Sequence, residues 1–307
     1  MMYEYAVDPV LFSSVERARY LRQLFGRDKG RIIAYFPEQW KDIVEQTDSP
    51  LERVRLRNLV IGMLKDRTLF RCRRCDYNKK LYWWENALNH HVQLREFRAI
   101  ISKQATRDCF VHIDELEENP KMSIKLEAVI PRIASEMAKV AAPLLQLSSE
   151  IRFVDPYFDP TEKSNYHATF KAFMDAAHSE SSIPVTEIQF HLKYNNRKNK
   201  DPNDYNLNDS GNFEDACIKN ISPLIPNGKK VTFFRWKNMR NGDGLHPRYI
   251  LTNIAGISYD YGLDQGFLGQ TTDVKLITGE IFNTRWNQFK RDGAGFRPMD
   301  QFVINGK

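Results

Sequence analysis

The chain has 307 residues, of which 42% are hydrophobic, 27% charged and 12% aromatic, and its formal net charge is +6. This is the composition of an ordinary soluble protein with enough material for two cores, and no run of about 18 apolar residues exists to span a membrane. Four cysteines at this length make no disulfide framework, and the acid-containing N-terminus is no secretory signal, so a cytoplasmic location is expected.

The charge is spread unevenly. Residues 51–108 hold 14 basic against 6 acidic side chains, 109–190 hold 7 against 13, and 191–250 hold 11 against 6. Helical periodicity covers roughly 9–25 and then 50–66, where Ser49 stands as N-cap and Pro50 opens the first turn. Short strands are expected at Arg31–Phe36 and Cys109–Ile113, and a helix over Asn86–Ser102. Met122–Leu147 is a long amphipathic stretch that Pro131 and Pro143 interrupt. The first half, residues 1–148, is therefore expected to be mixed and mainly helical.

Two features of this half bear on chemistry. Arg71, Arg73, Arg74, Lys79 and Lys80 interleave with Tyr77, Tyr82, Trp83 and Trp84, a mixture that suits a phosphate-tracking surface with stacking platforms for nucleic acid. The plainer reading is a solvated face over a buried aromatic cluster. Cys72-Arg73-Arg74-Cys75 followed by His90 supplies three of the four donors of a structural zinc site. Against zinc stands a reading of two cysteines in a basic loop and a helix histidine packed on Trp83 or Trp84.

The rhythm changes after residue 148. Ile151–Phe158 reads as a strand ending in a turn, Ser164–His178 as a helix, and Val185–Tyr194 as an alternating strand; a polar loop fills 195–211. A helix at Phe213–Ile221, a strand at Lys230–Trp236, strands around His246 and at Ile254–Tyr261, and a closing helix at 280–290 follow. Residues 149–307 thus predict a mixed sheet with helices on its faces, and the chain as a whole belongs to the α/β (α+β) class. Ligands would gather at the carboxyl ends of parallel strands, where Asp155, His191 and His246 fall.

Leu245-His246-Pro247-Arg248 opens the most informative run. Two residues apart on a strand, His246 and Arg248 would share a face, one able to attack phosphorus and the other to hold a phosphate oxygen. The order of elements, this His-x-Arg, Asn253, and the later Gly262-Leu263-Asp264 resemble the phospholipase-D-like superfamily, closest to the C-terminal phospholipase-D-like domain of MIT-domain-containing proteins. The resemblance covers about 150–290. It implies a phosphodiesterase with His246 as nucleophile and Arg248 as phosphate clamp, Arg standing where the family has Lys and Asn253 where it has Asp. It also implies a second histidine, supplied by homodimerisation or by His191-Leu192-Lys193, with Asp155 and Asp264 in support. The residues by themselves favour His191 as a polar strand residue near the site, and Asp155 before Pro156 equally reads as a turn. Similar bacterial domains are often encoded among defence and mobile-element genes, so the resemblance implies a nuclease, or a partner protein of a defence complex, in an anti-phage setting. The alternative is a catalytically degenerate module that binds nucleic acid, phospholipid headgroup or a partner protein. No phosphate-binding glycine loop or catalytic-serine motif appears.

Overall fold

A computed structural model of the protein describes residues 1–36, 40, 50–73, 76–104, 107–179, 183–194, 207, 209–239, 244–290 and 295–307, without the side chains of Pro50, Glu52 and Cys72. The Ser49 cap, Arg74 and Cys75 lie outside the described residues, as does most of the polar loop expected at 195–211. The chain divides into two compact units, Met1–Leu126 and Glu127–Lys307. Among the described residues no helix is long and apolar enough to cross a membrane.

The first unit runs β1 (Tyr3–Val7), α1 (Val15–Leu24), β2 (Arg31–Tyr35), α2 (Pro50–Lys65), β3 (Phe70–Cys72), α3 (Trp83–Gln93), β4 (Ile100–Ser102) and β5 (Phe110–His112). Its five strands pair in parallel in the order β3-β2-β1-β4-β5. Parallel sheets need cover on both faces. Here Tyr5, Val7, Ile33 and Ile101 pack with α1 and α2, while Ala6, Ala34, Ile100 and Phe110 pack with α3. Described helical residues outnumber strand residues in this unit, but a central sheet organises them. The helix expected over Asn86–Ser102 stops at Gln93, and Ile100–Ser102 is instead a buried strand between β1 and β5. Tertiary pairing outweighs local periodicity there.

The second unit runs β6 (Glu127–Pro131), α4 (Ala134–Gln146), β7 (Glu150–Val154), α5 (Tyr166–Ala177), β8 (Glu187–Lys193), α6 (Ser210–Asn220), β9 (Lys230–Asn238), β10 (Tyr249–Thr252), β11 (Gly256–Tyr259), β12 (Thr271–Ile277), α7 (Gly279–Gln288) and β13 (Phe296–Asn305). One mixed sheet of order β13-β9-β8-β7-β10-β11-β12-β6 carries them, parallel only within β7-β8-β9. Phe153, Phe190 and Phe233 face α5, with Phe213 of α6 beside Phe233. On the opposite face, Val154, Trp236, Leu251 and Ile277 pack with Phe282 of α7. The unit boundary thus falls before β6 and not near 148. β6 pairs with β12, some 140 residues later in the chain, a partnership no local pattern announces. Helix α4 runs through Pro143, because the buried stripe Met137, Ala138, Ala141, Leu144 and Leu145 outweighs one missing backbone bond.

Candidate functional site

Strands β7, β8 and β9 end at one edge of the second unit's sheet. Antiparallel β10 begins there, so the segment leading into β10 lies beside these carboxyl ends. His246, Pro247 and Arg248 form that segment, and the strand proper begins only at Tyr249. Proline has no N–H for the ladder, which resumes when Tyr259 N–H donates to the Arg248 carbonyl (3.0 Å). His246 is exposed and lies over Gly244, where a Cβ would come within 2.6 Å of its ring. Leu245 is buried and tethered through its N–H to Asn238 Oδ1 (3.1 Å), fixing the approach. His246 and Arg248 share an open cleft of about 480 Å³ with Asp260, Asp273 and Lys275.

Behind Arg248 lies a built polar cluster. The fully buried Asp155 carboxylate closes β7, accepting from the Tyr157 N–H (2.9 Å) through Oδ1 and from the Leu263 N–H (2.8 Å) through Oδ2. Burial pushes its pKa up, and the two N–H donors and the Arg248 charge oppose that rise. The Tyr166 phenol lies near the same carboxylate, and burial together with this neighbouring charge raises its pKa. The half-buried Arg248 guanidinium lies 5.0 Å from the Tyr157 ring centroid and donates a long Nη1 bond to the Asp260 carbonyl (3.4 Å). Its Nε has no hydrogen-bond partner.

The Gly262-Leu263-Asp264 run has a structural explanation. Gly262 adopts φ +146°, and a Cβ there would strike Asp264 Oδ1 at 2.5 Å. This bare position lets Leu263 sink into the core and offer its N–H to Asp155, while Asp264 pairs with Arg132.

Other expected members lie elsewhere. His191 is fully buried on the α7 face, with Phe234 (5.0 Å), Trp236 (5.8 Å) and Phe289 (5.2 Å) around its ring. Trp236 Nε1–H donates to its Nδ1 (3.0 Å), placing the proton on Nε2, 2.9 Å from Gln189 Oε1. Burial, with the Arg152 charge, holds its pKa well below the usual histidine value. His191 therefore cannot stand as a second site histidine, because both of its nitrogens serve the core. Lys193 ends β8 half-buried, its N–H toward the Pro156 carbonyl (3.4 Å). Asn253 follows the far end of β10, a four-residue strand or roughly 13 Å from the Arg248 end. There its Oδ1 accepts from Ser149 N–H (3.2 Å) and its Nδ2 donates to Ser149 Oγ (2.9 Å), so it ties a turn and does not orient His246.

In the first unit the basic segment splits. Arg71 and Arg73 are buried, and Arg73 pairs with buried Glu4 (2.9 Å) with its guanidinium 3.7 Å from the Phe97 ring centroid. These two arginines face the protein and not a solvent-borne polyanion. Lys79 and Lys80 remain exposed. For zinc, Cys75 and the Cys72 side chain lie outside the described residues. His90 is already committed: its Nε2 lies 2.9 Å from the Asp76 carbonyl and its ring edge packs on Phe36 (4.8 Å). Among the described residues no cluster of three or more His, Cys, Asp or Glu is placed to hold a metal ion.

Sequence reasoning missed Tyr166, Arg132, Asp260, Asp273 and Lys275. They come from separate elements whose convergence no motif spacing signals. No protein-family model matches this chain, and no curated protein is similar to it.

Proposed function

We propose that the second unit is a phospholipase-D-like module that recognises a phosphate group through Arg248 and His246 without turning it over within one chain. One observation carries this reading. Arg248 is held half-buried beside Asp155, Tyr157 and Asp260 next to an exposed His246, while His191 serves the core. A guanidinium held half-buried against an aromatic ring, with the charge of a buried carboxylate nearby, is a preorganised anion contact. Phosphohistidine chemistry needs a second imidazole to protonate the leaving oxygen, and His191 cannot serve.

Titration calorimetry with pyrophosphate and with a short oligonucleotide tests this. Wild type should bind, Arg248→Ala should lose roughly 10-fold or more in affinity, as expected for a charge-assisted bidentate contact, and bis(p-nitrophenyl) phosphate should remain intact in EDTA. Hydrolysis that disappears in His246→Ala would overturn the non-catalytic reading.

The exposure of His246 favours a second reading, a metal-independent phosphodiesterase of nuclease type. A homodimer would then bring the partner's imidazole to the open cleft. Light scattering separates the two: activity confined to a dimer supports this one, and a strictly monomeric protein sinks it. A bacterial anti-phage defence role, in the cytoplasm and with nucleic acid as ligand, goes with either reading.

A further inference from the structure

The loop between β3 and α3 of the first unit is fixed to a degree that its exposed side chains do not explain. Asn86, buried inside α3, accepts from Asn78 N–H through Oδ1 (2.8 Å) and donates through Nδ2 to the Asn78 (3.0 Å) and Tyr82 (3.0 Å) carbonyls. Asn78 in turn accepts from Lys80 N–H (2.9 Å) and Leu81 N–H (3.1 Å), and Glu85 Oε2 accepts from Tyr82 N–H (2.8 Å). Burying an amide side chain is unfavourable unless its polar atoms are bonded, and here those bonds go to the loop backbone. The backbone from Asn78 to Tyr82 is thus set before any ligand arrives.

This backbone displays Lys79, Lys80 and Tyr82 outward. Tyr82 is 73% exposed and stacks on Trp84, with ring centroids 6.3 Å apart and planes inclined by 7°. The two rings lie nearly parallel, and most of the phenol is open to solvent. Both lysine ammonium groups are exposed and make no ion pair among the described residues. Glu85 is occupied by the helix cap, and Asp76 is the other carboxylate of the segment.

We infer that Lys79, Lys80, Tyr82 and Trp84 form a binding platform for single-stranded nucleic acid, in which a base stacks on Tyr82 and the flanking phosphates meet the two lysines. An unpaired strand is required because bases in a duplex offer no free face. A preorganised aromatic beside unneutralised cations is the arrangement that binds such strands with little sequence preference. The surrounding stretch 51–108, with 14 basic against 6 acidic residues, adds long-range attraction for a polyanion. This platform belongs to the first unit and does not depend on the phosphate site of the second.

Fluorescence anisotropy of the full chain with labelled single strands of about 12 nucleotides, DNA and RNA, at roughly 50 mM salt tests it. Wild type should bind both more tightly than a duplex of equal length. Tyr82→Ala should weaken binding about 10-fold, Tyr82→Phe should restore it, and the Lys79→Ala/Lys80→Ala pair should lower the salt-dependence slope by about 1.4. These side chains are exposed, so thermal melting should be unchanged in every variant. Failure of wild type to bind, equal binding of duplex, or unaltered affinity in Tyr82→Ala would each overturn the platform. Arg248→Ala run in parallel keeps the two proposals apart. Loss in Arg248→Ala with full binding in the platform variants refutes the platform and leaves the phosphate site standing; the reverse pattern supports the platform whatever becomes of that site.

Discussion

Leu263 donates its backbone N–H to the Asp155 carboxylate at 2.8 Å, joining positions 108 residues apart in the chain. The carboxylate also accepts from Tyr157 N–H, so one buried side chain ties the end of β7 to the turn after β11, with the Tyr166 phenol of α5 nearby. Asp155→Ala would leave the buried Leu263 N–H and the partly buried Tyr157 N–H without an acceptor. At about 1–3 kcal/mol for each such group, a loss of about 2 kcal/mol or more is expected in urea unfolding. The pH dependence carries a sign. Burial raises the folded pKa above its ordinary 3.8, so this group's contribution is fullest below 3.8 and is lost as pH rises through the folded value. The gap between wild type and Asp155→Ala should therefore narrow over that window; a gap that widens there refutes the assignment.

How much of this could be read in the sequence depended on whether the signal was local. Periodicity located α1, α2, α5 and α6, and alternation located β8 and β9, because each of these packs one face against its own neighbourhood. β6, β12 and β13 carry no recognisable signal in the sequence, since each is specified by an antiparallel partner far away in the chain and not by a local pattern. The place of His191 has a reason that alternation alone does not give. Alternation tells which residues of β8 share a face, but β8 lies in the middle of a sheet covered on both sides, so His191 is buried although Glu187 on the same face is exposed. Asn253 fitted a motif spacing but was claimed by Ser149. His246 and Arg248 were legible as a pair, while Pro247 explains why they precede the strand and do not belong to it.

Arg73 and Lys79 come from the same basic segment and should behave oppositely. Glu4 contacts Arg73 at 2.9 Å and Arg95 at 2.6 Å, with all three side chains largely buried. Glu4→Gln removes the charge both arginines answer to and should cost about 3–5 kcal/mol, as for other broken buried pairs. Lys79→Ala should stay within about 0.5 kcal/mol of wild type. Denaturant midpoints at constant slope measure both, and a neutral Glu4→Gln would mean that the buried trio contributes nothing to the fold.

Asn253 and Arg248 make a complementary pair of tests at opposite ends of β10. Asn253→Ala loses the bonds to Ser149 N–H and Oγ and should destabilise by about 1–2 kcal/mol. Pyrophosphate affinity should be unchanged, because the side chain ties a turn at the end of β10 away from Arg248. A drop in affinity at unchanged stability would return Asn253 to the site.

His191 gives the sharpest pH signature. Its folded pKa lies well below 6.5, so the unfolded chain takes up this proton first as the solution is acidified. Its contribution to stability is then fully present above 6.5 and is lost as pH falls from 6.5 toward the folded value, at no more than about 1.4 kcal/mol per pH unit. His191→Phe keeps a ring among Phe234, Trp236 and Phe289 but strips the indole N–H of its acceptor, costing about 1–3 kcal/mol near neutrality. Below 6.5 the variant has no proton to take up, so the difference from wild type should shrink on acidification. His90, His91 and His178 are also shifted down by burial, but they are common to both proteins and cancel in the comparison. Urea titrations at several pH values on either side of 6.5 measure the difference; a gap that stays constant or grows on acidification would show that His191 is not held neutral in the core.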